Sequence, residues 1–177
     1  MKINQKLFLT INLIGGILVL TSYYWGIQSD KGIEAFWGGV PNDLRSVFMF
    51  SMLISATSFF IFSIYIFKNI RTELLQSSLG GVLPYLILFG VIQLASALWM
   101  PLVGIMISNP TTILWIGIRM VLIAVPLAAL VIFFLLLKLS PKQSDFLYYS
   151  TLISLTIFLI HTGILDAVIW PYFWKTY

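Results

Sequence analysis

The sequence predicts an all-α integral membrane protein, a single domain over residues 1–177 built as a bundle of five transmembrane helices. Of the 177 residues, 60% are hydrophobic and only 9% are charged, and the mean hydropathy is +1.01. These values exclude an ordinary soluble domain. A spanning helix needs about 20 mostly apolar residues, and five stretches provide them, at about 7–26, 47–68, 82–108, 111–138 and 147–170.

The first stretch, 7–26, follows Lys2 and Lys6 and so has the basic start and apolar run of a signal peptide. It has no small-x-small cleavage site and is long enough to span a bilayer, which predicts a retained first helix. The segment after it, 27–46, is the one long connection in the sequence. A loop of this length in a compact bundle is more often functional, or a lid, than a plain linker.

Small residues on the second stretch predict close helix packing. Ser51, Ser55 and Ser58 follow the spacing i, i+4, i+7, which lets neighbouring backbones approach closely in lipid. Pro101 and Pro126 are expected to interrupt the third and fourth helices and to free backbone carbonyls there. Kinks of this kind often widen a cavity but are also common without function. The fifth stretch is distinguished by the ionisable side chains within its apolar run.

The basic residues predict the orientation of the bundle. When five helices are threaded back and forth, one face collects Lys2, Lys6, Lys68, Arg71, Lys138 and Lys142. At the opposite face, charges of both signs cancel: Lys31, Arg45, Arg119 and Lys175 against Asp30, Glu34, Asp43 and Asp166. By the positive-inside rule the N-terminus is cytoplasmic and the C-terminus is outside. The net charge of +4 therefore reflects orientation in a lipid bilayer, and no nucleic-acid partner is expected.

Catalytic and metal-binding patterns are scarce. The chain has no cysteine, which excludes disulfides and thiolate metal sites, and it contains no HExxH, GxSxG or Walker-type glycine loop. His161 has no second metal ligand three or four residues away, so a metal site made by the protein alone is not expected. The sequence leaves enzymatic activity open and favours a protein that is not an enzyme.

The six tryptophans all fall toward the outer side: Trp25, Trp37, Trp99, Trp115, Trp170 and Trp174. One interpretation is an aromatic belt at the membrane interface, but belts form at both faces. A belt also does not account for Trp37 in the loop or for Trp99 about two turns inside its helix. The second interpretation, of equal weight, is an outer cavity partly lined by aromatic side chains.

Two charged residues in the outer half predict a polar contact between the fourth and fifth helices. Arg119 lies about 12 Å deep in one helix and Asp166 about 7 Å deep in the other, from the helical rise. Because an intramembrane charge is costly and usually has a partner, we expect an ion pair, with Trp115 stacked on the guanidinium. Such a pair could lock the two helices together or form part of a ligand site.

His161 is the only histidine of the chain. On an α-helix it lies about 140° from Asp166, so a direct His–Asp pair is not expected. It shares a face with Ser150 and Ser154 and is interpreted first as a core residue bonded to a neighbouring hydroxyl or carbonyl group. Axial ligation of a tetrapyrrole and a role in proton relay are the alternatives.

The segment SALWMP, 96–101, lies near the end of the third predicted helix. Together with five helices, a long first loop and many tryptophans, its Trp99-x-Pro101 pattern resembles the tryptophan-rich sensory protein or translocator family. The family commonly has asparagine where this chain has Ser96. The resemblance implies a pocket under the first loop that binds porphyrin-like or sterol-like molecules, and a homo-oligomer. The family pattern does not supply His161 or Asp166, so the ligand stays open.

Taken together, the sequence predicts a protein that binds or transports a small amphipathic or apolar ligand in an outer-half pocket. A tetrapyrrole, a sterol and a lipid all fit this description. The candidate ligand-binding residues are Trp37 in the lid, Trp99 and Trp115 in the walls, and Arg119, His161 and Asp166 as polar groups. The alternative is a non-catalytic subunit of a larger membrane complex, which a lipid-facing surface of small residues, including Gly15-Gly16, would favour.

Overall fold

The computed structural model describes residues 3–30, 32–70, 75, 79–139 and 145–174. These residues form five helices long and apolar enough to cross a membrane, and one short helix. The helices are α1 (Ile3–Ile27), α2 (Ile33–Phe36), α3 (Asn42–Asn69), α4 (Leu83–Ser108), α5 (Thr112–Leu137) and α6 (Phe146–Phe173). The predicted fold class is confirmed, and the chain is a multi-pass membrane protein. Of the basic residues that predict orientation, Lys2, Lys31, Arg71, Lys142 and Lys175 lie outside the described residues.

The helix bounds differ from the prediction mainly around the first loop. The helix α3 begins at Asn42 rather than at residue 47, and the short helix α2 lies inside the segment predicted as loop 27–46. Hydropathy marks the part of a helix that crosses the hydrocarbon, whereas backbone hydrogen bonds continue through polar residues into the interface. The connection is therefore shorter and more ordered than the sequence suggests. The prediction that Pro101 and Pro126 interrupt their helices is wrong, because α4 and α5 continue through them, as membrane helices can when neighbouring groups satisfy the freed carbonyls.

The helix α6 is not uniform along its length. It is α-helical over Phe146–Leu159, continues as a π-helix over Ile160–Ile169 and ends with an α-helical turn at Trp170–Phe173. In a π-helix the backbone bonds run between residues five apart, so each turn is wider than in an α-helix. This local widening decides which side chains of α6 lie above one another.

The long helices form an incomplete ring. Neighbours pack in the order α1, α4, α5, α6 and α3, while α1 and α3 make only sparse contact. The described contacts between these two helices join the start of α1 to the end of α3. There, Gln5 Nε2 donates to the carbonyl of Phe67, and the ring of Phe8 lies near the ring of Phe67. We call this end of the bundle the basal end. The other end, where α2 packs on α4 and α1, is the lid end.

Small residues allow the helices to approach closely. A Cβ atom on Gly15 would lie 2.5 Å from the Cβ of Gln93, and one on Gly104 would lie 2.5 Å from the ring of Trp25. Both glycines are therefore needed where α1 crosses α4. Ser55 and Ser58 are buried on α3, which packs against α6, so the predicted packing role of these serines is confirmed.

Aromatic side chains fill the basal half of the bundle. Phe62 lies edge-on to Phe89 at 5.7 Å and to Phe158 at 5.4 Å between ring centroids, and it is fully buried. Phe8 packs edge-on against Phe89 at 4.7 Å. Edge-to-face arrangements of this kind are favourable between aromatic rings. The basal half is thus a continuous core, and it forms the floor beneath the lid end.

Candidate functional site

A cavity of about 410 Å³ lies at the lid end, beneath α2. All six helices contribute to its wall: Tyr23 and Ile27 from α1; Ile33, Glu34, Phe36 and the following Trp37 at α2; Phe48, Met49 and Met52 from α3; Ala95, Ser96, Trp99 and Met100 from α4; Val121, Leu122 and Val125 from α5; His161, Thr162, Asp166 and Trp170 from α6. The wall is mostly apolar and aromatic, with few polar groups. Its volume and character are those of a small-molecule site.

The π-helix brings two ionisable side chains of α6 together. His161 Nε2 lies 3.4 Å from Asp166 Oδ2. The prediction that these residues do not form a direct pair is wrong, because it assumed α-helical spacing, whereas Ile160–Ile169 is a π-helix. With backbone bonds between residues five apart, His161 and Asp166 stack on one face.

His161 also joins α6 to α3. Its Nδ1 lies 3.0 Å from Ser51 Oγ, and its side chain is buried. The neutral tautomer satisfies both contacts, since Ser51 can donate to Nδ1 while the Nε2 proton points at the carboxylate of Asp166. The predicted bond to a neighbouring hydroxyl is confirmed, although Ser51 of α3 provides it. Both ring nitrogens face protein groups, so axial ligation of a tetrapyrrole would require one contact to break.

Asp166 faces the cavity more openly than His161 does. Its side chain is 33% exposed, compared with 7% for His161. Within the part of the chain that the structure describes, no further potential metal ligand of the types His, Cys, Asp or Glu joins these two residues. The pair therefore presents a carboxylate to the cavity, with the imidazole behind it.

Arg119 lies away from this pair. It does not line the cavity, and among the described residues Asp166 pairs with His161, not with Arg119. The predicted Arg119–Asp166 ion pair is therefore wrong. The buried face of α5 carries Ile118 and Leu122, whereas Arg119 lies on a half-buried flank. From about two turns below the start of α5, a long arginine side chain can reach the polar membrane surface.

Trp115 also has a different position from the one predicted. No stacking on the Arg119 guanidinium is found among the described residues; the cation–π contact there joins Arg45 to Trp37. The Trp115 ring is instead stacked with Trp174, at 6.1 Å and 20°, and lies 6.3 Å from Trp170. Trp115 thus supports Trp170 from behind and is not itself a cavity wall.

The helix α2 is held over the cavity from the C-terminal end of α6. Trp170 Nε1 donates to the carbonyl of Phe36 at 3.1 Å, and Gly39 N donates to the carbonyl of Phe173 at 3.2 Å. Gly38 has a φ of +59°, and a Cβ on Gly39 would lie 2.4 Å from the same Phe173 oxygen. Both positions of this Gly-Gly pair therefore favour glycine, one through its backbone angle and the other through lack of space.

A second attachment of α2 comes from the start of α3. Arg45 forms an ion pair with Glu34, donates from Nε to the carbonyl of Val40 at 3.1 Å and lies 5.7 Å from the ring centroid of Trp37. Trp37 in turn packs edge-on against Phe48 at 6.0 Å. Trp37 therefore belongs to the segment that covers the cavity, and this segment is attached to both α3 and α6.

Several residues that line the cavity are also exposed on the outside of the bundle. They are Ile27 at 58% on α1, Ile33 at 38% on α2, and Met49 at 51% and Met52 at 38% on α3. The helices α1 and α3 make only sparse contact with each other. The exposed part of the wall is therefore provided by α1, α2 and α3.

Trp99 lines the cavity from α4. Its ring is 5.8 Å from Tyr23 and 5.7 Å from Trp170, the latter edge-on. Its Nε1 is buried and has no hydrogen-bond acceptor within the described part of the chain. Unpaired buried polar atoms are uncommon. Among the described residues, three others are found in Gln5, Ser63 and Tyr65, none of which lines the cavity.

Scans of the chain against protein-family models, curated proteins and solved structures give no match. The resemblance to the translocator family stays a prediction. Of the residues that carry the resemblance, Ser96 and Trp99 line the cavity and Pro101 does not.

Sequence reasoning missed several wall residues. Tyr23 and Trp170 belong to the aromatic clusters of the outer side, but neither was singled out as a wall residue. Met49 and Met52 carry no motif, and methionine is common wherever an adaptable apolar surface is needed. Ser51 was interpreted only as a small packing residue. The one signal that could have linked it to the site was the need of a buried histidine for two hydrogen-bond partners.

Proposed function

We propose that this protein binds a small amphipathic or apolar molecule in the cavity beneath α2. The observation that carries the proposal is the cavity itself: about 410 Å³ within the span of the membrane helices, walled by aromatic residues, with polar groups concentrated at His161 and Asp166. Protein interiors are otherwise close-packed. A cavity of this size is typical of a ligand site. The densely packed aromatic core of the basal half lies beneath it.

The proposed route to the site runs sideways from the membrane. The exposed lining residues Ile27, Met49 and Met52 lie on α1 and α3, which make only sparse contact with each other. Arg45 and Trp170 hold the lid in place. A ligand dissolved in the bilayer would reach the cavity without crossing the polar surface. If the positive-inside orientation holds, this membrane leaflet is the outer one.

The contacts of the small residues favour a binding protein over the alternative of a complex subunit. Gly15 is covered by Gln93 of the same chain, and Ser55 and Ser58 are buried within the bundle. These residues are used for packing inside the chain, so they do not present a small-residue surface to a partner. Three helical glycines are exceptions, because no atom lies within 4 Å of a Cβ built on any of them: Gly16, Gly90 and Gly117.

The proposal is tested by filling the cavity. In nanodiscs, an ω-bromoalkanol should quench tryptophan fluorescence saturably, because bromine is a contact quencher and Trp37, Trp99 and Trp170 line the site. Ser96→Phe, which adds a ring to the wall, should weaken this quenching at least about tenfold. Leu94→Phe is the matched control, because Leu94 is 58% exposed on the same helix and does not line the cavity.

Non-saturable quenching that is the same in both variants would mean that the probe only partitions into lipid, and the proposal would fail. Native mass spectrometry of the purified protein adds a second readout. A stoichiometric protein partner in place of a bound small molecule would favour the complex-subunit alternative.

A further inference from the structure

Among the described residues, the lining of the cavity has acidic side chains but no lysine or arginine. Glu34 and Asp166 are the carboxylates of the lining. Glu34 lies at the edge and has Arg45 as its partner. Asp166 lies inside, and the basic side chain nearest its carboxylate among the described residues is His161, at 3.4 Å. Among the residues that the structure describes, the interior thus holds one carboxylate and no Lys or Arg side chain to balance it.

The imidazole does not replace a cation in this place. In the tautomer with its proton on Nε2, His161 is neutral, can accept from Ser51 at Nδ1, and places an N–H group 3.4 Å from the carboxylate oxygen. A hydrogen bond lowers the cost of holding a carboxylate in an apolar site, but a buried charge is stabilised far more by an opposite charge. Because the Asp166 side chain is 33% exposed beside the cavity, a ligand can provide that charge.

The rings around Asp166 suit the same partner. Trp170 lies one turn beyond Asp166 on α6, and Trp99 lies edge-on to Trp170 at 5.7 Å with Tyr23 at its other side. All three line the cavity. Aromatic faces attract ammonium groups through their negative quadrupole, most strongly when water is excluded, and such cages are common sites for quaternary ammonium ligands.

Resting on the function proposed above, we propose that the ligand is an amphipathic cation, an amine or a quaternary ammonium compound with an apolar tail. Its head group lies against Asp166 among Tyr23, Trp99 and Trp170. Its tail extends past Met49 and Met52 toward the hydrocarbon between α1 and α3.

Three probes with the same tail test the head group: an ω-bromoalkyl trimethylammonium, the corresponding ω-bromoalkanol and the corresponding ω-bromoalkanoate, each titrated by tryptophan quenching in zwitterionic nanodiscs. The ammonium probe should bind at least about tenfold more tightly than the alkanol, and the alkanoate more weakly than both, as expected for pairing with a buried carboxylate. Asp166→Asn should remove the preference for the ammonium probe. Asp166→Glu should keep it, because the charge is retained.

Asp43→Asn is the control for attraction to the membrane surface, since Asp43 is an exposed acid at the same end of the bundle and does not line the cavity; it should leave the preference unchanged. Competition in the unmodified protein provides a test that needs no variant. An alkyl trimethylammonium without bromine should displace the ω-bromoalkanol at a concentration about tenfold lower than the matching alkanol does.

Equal binding of the three probes, or a preference for the ammonium probe that survives Asp166→Asn, would overturn the assignment of a cation while leaving the binding site in place. Absence of saturable quenching by any of the three would overturn the binding site itself, and this proposal with it.

Discussion

Replacing Trp170 with phenylalanine should loosen the lid without unfolding the bundle. The substitution keeps an aromatic ring in the cluster but removes the Nε1–H that donates to the carbonyl of Phe36 at 3.1 Å. Trp170 is 3% exposed and Phe36 is also 3% exposed, so the carbonyl loses a buried partner. Leaving one buried polar group unsatisfied costs about 1–3 kcal/mol. If this cost acts on the lid alone, opening becomes about 5- to 150-fold more frequent.

Hydrogen–deuterium exchange in nanodiscs measures this opening directly. The amide of Gly39 is a suitable reporter, since it donates to the carbonyl of Phe173 and should exchange faster in Trp170→Phe. Trp115→Phe is the matched control, because Trp115 packs on Trp170 and Trp174 in the same ring cluster but does not contribute the lid hydrogen bond. Unchanged exchange across residues 32–41 in Trp170→Phe, or equal acceleration in both variants, would refute the reasoning.

Three further predictions concern helix packing, orientation in the membrane, and Arg119 on the flank of α5. Gly15→Ala should lower stability in detergent melting by about 1–3 kcal/mol through overpacking, since its Cβ would lie 2.5 Å from Gln93. Gly16→Ala, with open space around it, should be neutral or stabilising, and equal losses would contradict the α1–α4 contact. A cysteine at Asn109 should react with an impermeant reagent from outside the cell and one at Lys138 should not; the reverse pattern would invert the proposed orientation. Arg119→Leu should change the free energy of unfolding by less than about 1 kcal/mol. A loss of about 3–5 kcal/mol would instead indicate that Arg119 takes part in a buried ion pair.

The helices were predictable because lipid imposes a simple rule on the sequence. A segment must be apolar over about 20 residues to cross the hydrocarbon, and each of the five stretches obeys it. The ends were less predictable, because Asn42 and its polar neighbours continue α3 beyond the apolar part. The place of Trp37 and Trp99 around a cavity could also be anticipated, since neither position fits an interfacial belt.

The contact between His161 and Asp166 could not be predicted by counting residues on an α-helix. A π-helix has no reliable sequence signature, and it changes which residues share a face. The prediction of an ion pair between Arg119 and Asp166 failed for another reason. It was inferred from the similar depth of the two residues in the membrane, but depth does not determine which flank of α5 a side chain lies on. Partners across helices, such as Ser51 for His161, depend on tertiary packing that one sequence does not reveal.

The most direct test of the account is photoaffinity labelling in native membranes with a diazirine-bearing alkyl trimethylammonium, followed by mapping of the labelled peptides. If the cavity beneath α2 is the binding site, labels should concentrate on Met49, Met52 and Trp99, and an excess of the unlabelled compound should suppress them. Labelling that instead spreads over lipid-facing residues such as Leu94 and Leu127, and that resists competition, would contradict a binding site in this cavity.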